Sequence, residues 1–146
     1  MKCTNRNPHY KSTSEFYNSA SQAMASTAAP IALVGTQVTN TGIAVEASGT
    51  TIEIKYSGTY AINASVIADV TTAGDVTVQM YANGVALPET VRTVTMAAGN
   101  NAVNIDTVRF FRVSCSEPTQ LQVYVNTDGT AAGNVILAAG SVIKLA

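Results

Sequence analysis

The chain has 146 residues and a mass of 15.1 kDa, the size of one domain, which buries roughly two-thirds of its unfolded surface. Hydrophobic residues make up 47 % of it and charged residues 12 %, about half the usual charged share, with a formal net charge of -1. Eight Lys and Arg against nine Asp and Glu, without a basic run, argue against nucleic acid as a ligand, and one His with no Trp thins the catalytic inventory.

Residues 1 to 30 read as an arm: they hold the only His, a Ser-rich and an Ala-rich stretch, and few large aliphatics to bury. Ser12 and Glu15 have capping-box spacing, and Phe16, Ala20, Ala23 and Met24 recur at helical intervals, so the expectation for the arm is either a short helix over 13 to 26, marginal unless a partner supports it, or disorder in the free protein that only a partner relieves. Met1 to Asn7 lacks the apolar segment of a signal peptide, and no apolar run approaches the roughly 20 residues that cross a bilayer, so the expectation is a soluble, unprocessed chain. Cys3 and Cys115 read as free thiols, Cys115 as a small hydrophobe at a strand end; Cys3 and His9 fall short of the four ligands of structural zinc.

From Ile31 to Ala146 the texture changes to Val, Ile, Thr and Tyr in short runs broken by Gly, Asn and Asp about every ten residues, the pattern of an all-β sandwich. About nine strands are expected, starting with Ile31 to Thr36, Gly42 to Ala47 and Thr51 to Ser57. Between Tyr60 and Val70, Tyr60, Ile62, Ala64, Val66, Ala68 and Val70 alternate with Asn63, Ser65 and Asp69, which places one face in a core. Val76 to Ala82 leads into Asn83-Gly84, the strongest hairpin signal, because both residues tolerate the positive φ of a type I′ turn. Val85 to Leu87, Arg92 to Ala97 and Val103 to Ser114 follow. The last of these is apolar on two sides, Val108 and Phe110 against Phe111 and Val113, so it lies between layers or meets another subunit. Leu121, Val123 and Val125 alternate with polar residues and Tyr124, and Asn134 to Leu145 reads as a central closing strand.

Motifs of chemistry are sparse. No nucleophile elbow, phosphate loop or dinucleotide glycine pattern occurs, and His9 lies in the arm, so a Ser-His-Asp triad is implausible. Asp69 and Asp75 flank one loop and offer too few oxygens for calcium; as turn caps they are ordinary. Asn63-Ala64-Ser65 is a mid-strand sequon of chance type. No catalytic residue, cofactor or metal is expected.

Three stretches carry a resemblance: Ser57-Gly58-Thr59-Tyr60-Ala61-Ile62; Val76 to Tyr81 running into Ala82-Asn83-Gly84-Val85; and Asn134 to Leu145. In this order they resemble tumour-necrosis-factor-like and complement-globular-head-like jelly rolls, whose phage and exosporium versions are similarly neutral and rich in Ala, Thr and Val. The opening Met-Lys-Cys-Thr-Asn-Arg-Asn is similar to that of small phage virion proteins. One departure is Glu117-Pro118-Thr119 where a Gly-Asp turn commonly stands. The resemblance implies an all-β, two-sheet antiparallel jelly roll, a homotrimer, and a role in building or binding surfaces. It points to a non-enzymatic virion protein, a head decoration or fiber protein, assembled in a host cytoplasm and bound to a capsid through the arm. The alternative is a receptor- or glycan-binding module on a tail, spore or cell surface. Tyr81, Phe110, Phe111 and Tyr124 are the candidate trimer contacts; Tyr10, Phe16, Tyr17 and Met24 are the candidate capsid anchors.

Overall fold

Alternation of inward apolar and outward side chains builds most of the long strands of this chain, because successive residues of an extended backbone point to opposite sides. The computed structural model describes residues 12–35, 37–41, 45–99, 102–113 and 119–146. Its strands are β1 (Thr13–Asn18), β2 (Gln22–Ala23), β3 (Ala29–Pro30), β4 (Gln37–Thr41), β5 (Val45–Ser48), β6 (Thr51–Ile54) and β7 (Gly58–Thr72). They continue as β8 (Gly74–Ala82), β9 (Val85–Ala86), β10 (Arg92–Met96), β11 (Val103–Val113), β12 (Thr119–Thr127) and β13 (Ala132–Lys144). One turn of 3-10 helix, Pro88–Thr90, is the helical content of the described residues.

The strands form two antiparallel sheets. The first has the order β11-β7-β13-β1-β4, with β2 beside β13; the second has the order β10-β8-β12-β6-β5, with β3 beside β12 and β9 beside β8. Between them lies the core: Tyr60, Ile62 and Val66 of β7 and Val142 of β13 face Val76, Val78 and Met80 of β8, Leu121 and Val123 of β12, and Ile52 and Ile54 of β6. All six apolar residues expected to share a face of β7 are buried, as the alternation requires. The Asn83-Gly84 hairpin also stands as expected: Asn83 has φ 49°, Gly84 has φ 78°, and Ala82 pairs directly with Val85.

Within the range 13 to 26 the structure has no helix, and residues 13–18 and 22–23 are instead the strands β1 and β2. β1 lies between β13 and β4, with Ser12, Ser14, Phe16 and Asn18 buried at every second position. Three of those four are polar, which hides the period in a hydrophobicity reading, and each is satisfied from far along the chain. The Ser12 hydroxyl donates to the Thr41 carbonyl at 3.0 Å, Ser14 donates to Asn40 Oδ1 at 2.5 Å, and Asn18 Nδ2 donates to the Ala32 carbonyl at 2.9 Å. Phe16 reaches the core at 3 % exposure, and its cross-strand neighbour on β13 is Gly140, which leaves room for the ring. A Cβ on Gly140 would lie 2.6 Å from Phe16 Cζ and 2.3 Å from the Asn63 carbonyl oxygen. The segment preceding Ile31 thus supplies β1 and β2 to the first sheet and β3 to the second.

A second correction concerns Ile31 to Thr36, where residues 31–35 form no strand. Ile31 and Leu33 are buried all the same, with Ile31 N–H donating to the Val123 carbonyl and Leu33 N–H to the Gly49 carbonyl. Between them the Gln22 side-chain amide stands in for a neighbouring strand. Its Oε1 accepts from Ala32 N–H at 2.7 Å and its Nε2 donates to the Ala32 carbonyl at 2.9 Å. Cys3, His9, Tyr10, Cys115, Glu117 and Pro118, together with the side chain of Phe111, lie outside the described residues.

Candidate functional site

Register decides which side chains share an outward face. Across β11, β7, β13 and β1, Phe110, Ala61, Ile143 and Thr13 form one row of the first sheet; Val108, Asn63, Ser141 and Glu15 form the next. Phe110 is 67 % exposed, Val108 55 % and Ile143 42 %, an apolar concentration on an otherwise solvated surface. Further along the same strands the face becomes polar, where Ser65 Oγ lies 2.7 Å from Asn104 Oδ1 and 2.5 Å from Asp106 Oδ1. Asn63, the sequon residue, stands mid-strand with its Oδ1 accepting from Ser141 N–H at 2.9 Å.

The outward face of the second sheet has a different character. Tyr81 of β8 and Tyr124 of β12 sit diagonally across the ladder and stack with ring centroids 3.7 Å apart and 17° between planes. Gln122 lies opposite Tyr81 and Gln79 opposite Tyr124, and Thr77 pairs with Asn126 in the next row, all neutral hydrogen-bonding groups. At the far edge Lys55 pairs with Glu46 at 2.5 Å, and that carboxylate raises the ammonium pKa.

Six of the eight candidate residues have described side chains, and the geometry disperses them. Phe110 projects from the first sheet, while Tyr81 and Tyr124 project from the second, so the expected trimer contacts do not form one patch. Among the candidate anchors, Phe16 is a core residue, which removes it from any role in attachment, and Met24 packs against the core from beside β13. Tyr17 points outward next to Glu15. The stacking of Tyr81 on Tyr124 was beyond sequence reasoning, since it needs the β8-β12 register; the two-sided pattern of β11 was the one signal of an exposed apolar face.

Ionisable groups at the loop end of the sandwich serve structure. Asp128 accepts backbone N–H bonds from Thr130 at 2.8 Å, Ala131 at 2.9 Å and Asp75 at 3.0 Å, and these donors, that of Ala131 foremost, hold its carboxyl below the usual carboxylate range. Asp75 in turn accepts from the Thr95 hydroxyl at 2.6 Å. Asp128 therefore caps its own turn and ties it to β8 through the Asp75 N–H, while the Asp75 carboxylate joins β8 to Thr95 of β10. No group of three or more His, Cys, Asp or Glu able to hold a metal ion occurs among the described residues, and no helix there is long and apolar enough to cross a membrane. Arg109 pairs with Glu89 of the 3-10 turn, and Thr107 donates to the Thr90 carbonyl at 2.9 Å; together they tie β11 to the connection leading into β10.

Solved structures share this strand arrangement. Murine APRIL, in a crystal structure at pH 5.0, superposes with a TM-score of 0.65 at 15 % identity, covering 93 % of this chain and 100 % of the other. The PRD1 vertex protein P5 superposes with a TM-score of 0.64 at 18 % identity, covering 92 % of this chain and 97 % of the other. The fold is a tumour-necrosis-factor-like jelly roll. At such identities the likeness is one of fold, and sequence adds nothing to it: no protein-family profile matches the chain, and neither does any curated protein. The jelly roll brings its two outward faces, one with an apolar end and one centred on neutral polar groups and a tyrosine pair, to opposite sides of a single core.

Proposed function

We propose that this chain is a non-enzymatic structural protein of a virion, self-associating as a trimer and decorating or projecting from a phage capsid. The observation that carries the reading is the near-complete two-way coverage between this jelly roll and the PRD1 vertex protein P5, over 92 % and 97 % of the two chains. The apolar outward face of the first sheet supports self-association. Burying one aromatic side chain such as Phe110 removes on the order of 150 Å² from water, at about 25 cal/mol per Å². Attachment is assigned to the residues preceding β1, with Tyr10 as an anchor, because Phe16 is committed to the core. Light scattering of the purified protein at micromolar concentration is expected to give a mass near three times 15.1 kDa. Mass spectrometry of purified phage particles is expected to find the chain at a fixed copy number. A 15.1 kDa species that stays off particles overturns the proposal.

A second reading, a glycan- or receptor-binding module on a tail or cell surface, draws on the Tyr81–Tyr124 stack among neutral side chains. Glycan-array binding that is lost in Tyr124→Ala, with no association to capsids, selects it over decoration.

A further inference from the structure

The outward face of the second sheet brings an aromatic pair and a polar hollow within reach of each other, although their residues lie far apart along the chain. Two neighbouring rows cross that sheet. In one, Tyr81 stands opposite Gln122, whose Nε2 lies 3.4 Å from Thr51 Oγ1. In the other, Gln120 stands opposite Glu53, and Glu53 opposite Glu46. Glu46, Ser48, Thr51, Glu53 and Gln120 line a hollow of about 270 Å³ over β5, β6 and β12. Gln120 and Gln122 are two residues apart on β12, so about 7 Å separates the row of the hollow from the row of Tyr81. Folding does not account for the hollow. Like charges directly opposite each other destabilise a sheet, and the salt bridge of Lys55 goes to Glu46, so Glu53 has neither an ion pair nor a side-chain hydrogen bond among the described residues. The side chains of Ser48 and Gln120 also make no hydrogen bond there.

We propose that this face binds an uncharged saccharide chain, with one sugar ring in the hollow and a following ring against the Tyr81–Tyr124 pair. The inference rests on the glycan-binding reading above and gives it a site and a ligand class. A carboxylate is acceptor-only and takes two hydroxyl donors, whereas an amide or hydroxyl both donates and accepts, so Glu53, Gln120, Ser48 and Thr51 together match the mixed donors and acceptors of ring hydroxyls. Hydroxyl donors set between Glu46 and Glu53 also lessen the repulsion that the empty sheet bears. The tyrosine pair offers an amphipathic surface on which the C–H side of a sugar ring packs while its hydroxyls reach the flanking Gln79 and Gln122. Charge selects the ligand class. The two carboxylates repel an anionic glycan, and a hard cation needs at least about six oxygens in one shell, with Lys55 already on Glu46.

The test applies the full-length protein to an array of uncharged gluco-, manno- and galacto-oligosaccharides printed beside sialylated and sulfated ones. Binding is expected to uncharged oligosaccharides in preference to the anionic set. Glu53→Gln and Tyr81→Ala are each expected to weaken that binding by about tenfold or more. Stability supplies the second readout, because a residue kept for folding and a residue kept for a ligand move it in opposite directions. Glu53→Gln removes a like-charge contact and is expected to hold or raise the melting temperature while binding falls. A clear drop in its melting temperature would make Glu53 a structural residue and overturn the site. Binding that either variant leaves unchanged also overturns the site, with the glycan reading left standing. Preference for the anionic oligosaccharides overturns the ligand class. No binding to any oligosaccharide on the array overturns both the site and the reading on which it rests.

Discussion

The two outward faces of this jelly roll are built from the same alternation and rest on the same core, yet they expose opposite chemistry. On the first sheet the outward positions at one end are Phe110, Val108 and Ile143, giving way to Asn104, Ser65 and Asp106 further along; on the second they are Gln79, Gln122, Thr77 and Asn126, with two tyrosines turned onto each other. A large apolar group left in water costs free energy, whereas an amide or hydroxyl in water costs none, so packing within one chain accounts for the second face and leaves the first unexplained. The tyrosine stack sharpens the contrast. Each ring covers part of the other, and the second face thereby hides within the chain what the first presents to a partner.

The largest expected effect tests whether the first face exists without the strand that holds its far side. Deleting residues 1–28 removes β1 and β2 and leaves β13 and β4 without the strand between them. The expected outcome is an insoluble or unfolded chain by circular dichroism. Deleting residues 1–11 retains every described strand and is expected to keep the melting temperature while abolishing capsid attachment. A folded 29–146 fragment would show β1 to be dispensable. Within β1, Phe16→Ala is expected to cost about 3–5 kcal/mol in denaturant titration, the usual loss for a buried Phe.

Next in size is association itself. Phe110→Asp places a carboxylate on the apolar face and is expected to reduce the oligomer to a 15.1 kDa species, whereas Gln79→Asp makes the same change on the neutral face and is expected to leave the oligomer intact. Equal effects of the two substitutions would erase the distinction between the faces.

How much of this was legible in the sequence depended on whether the informative residues were apolar. The inward residues of β7, β8 and β12 are Val, Ile, Ala, Met and Leu at every second position, with Tyr60 at the start of β7 and Thr127 at the end of β12, and their strands and burial were readable. The Asn83-Gly84 turn was readable because its backbone demands φ > 0 at both positions. β1 was not, because Ser12, Ser14 and Asn18 are buried through partners 14 to 29 residues away, and no local pattern reports those. Phe16, Ala20, Ala23 and Met24 meanwhile fit a helical spacing by accident. The exposed side of β11 was visible as a second apolar stripe. That Tyr81 and Tyr124 belong to the other sheet follows from strand order, which a single sequence does not carry.

A smaller effect is expected on the neutral face. Tyr81→Ala and Tyr124→Ala should each lower stability, and a double-mutant cycle should assign about 0.5–1.5 kcal/mol to the stack itself. Neither substitution should alter the oligomeric mass. A loss of association in Tyr124→Ala would mean that the second face also meets a neighbour, and the contrast between the two would have to be redrawn.

The smallest expected effect lies in the layer beneath both faces. Tyr60 is fully buried, its hydroxyl donates to the Tyr56 carbonyl at 2.8 Å, and burial pushes its phenol up to about 12. An unfolded tyrosine titrates near about 10, so between those two pH values the folded chain keeps a proton that the unfolded chain has lost. Stability from this group is therefore full below about pH 10 and falls as pH rises toward 12. Tyr60→Phe removes the titrating group along with its hydrogen bond, at a cost of about 1 kcal/mol at neutral pH. Its stability should then decline less steeply than that of the parent chain above pH 10, and the gap between the two should narrow. Urea titrations at pH 8 and pH 11 in a Phe110→Asp background separate this from any change in association. Parallel losses in the two proteins would show that Tyr60 is not the group that couples the shared core to alkaline pH.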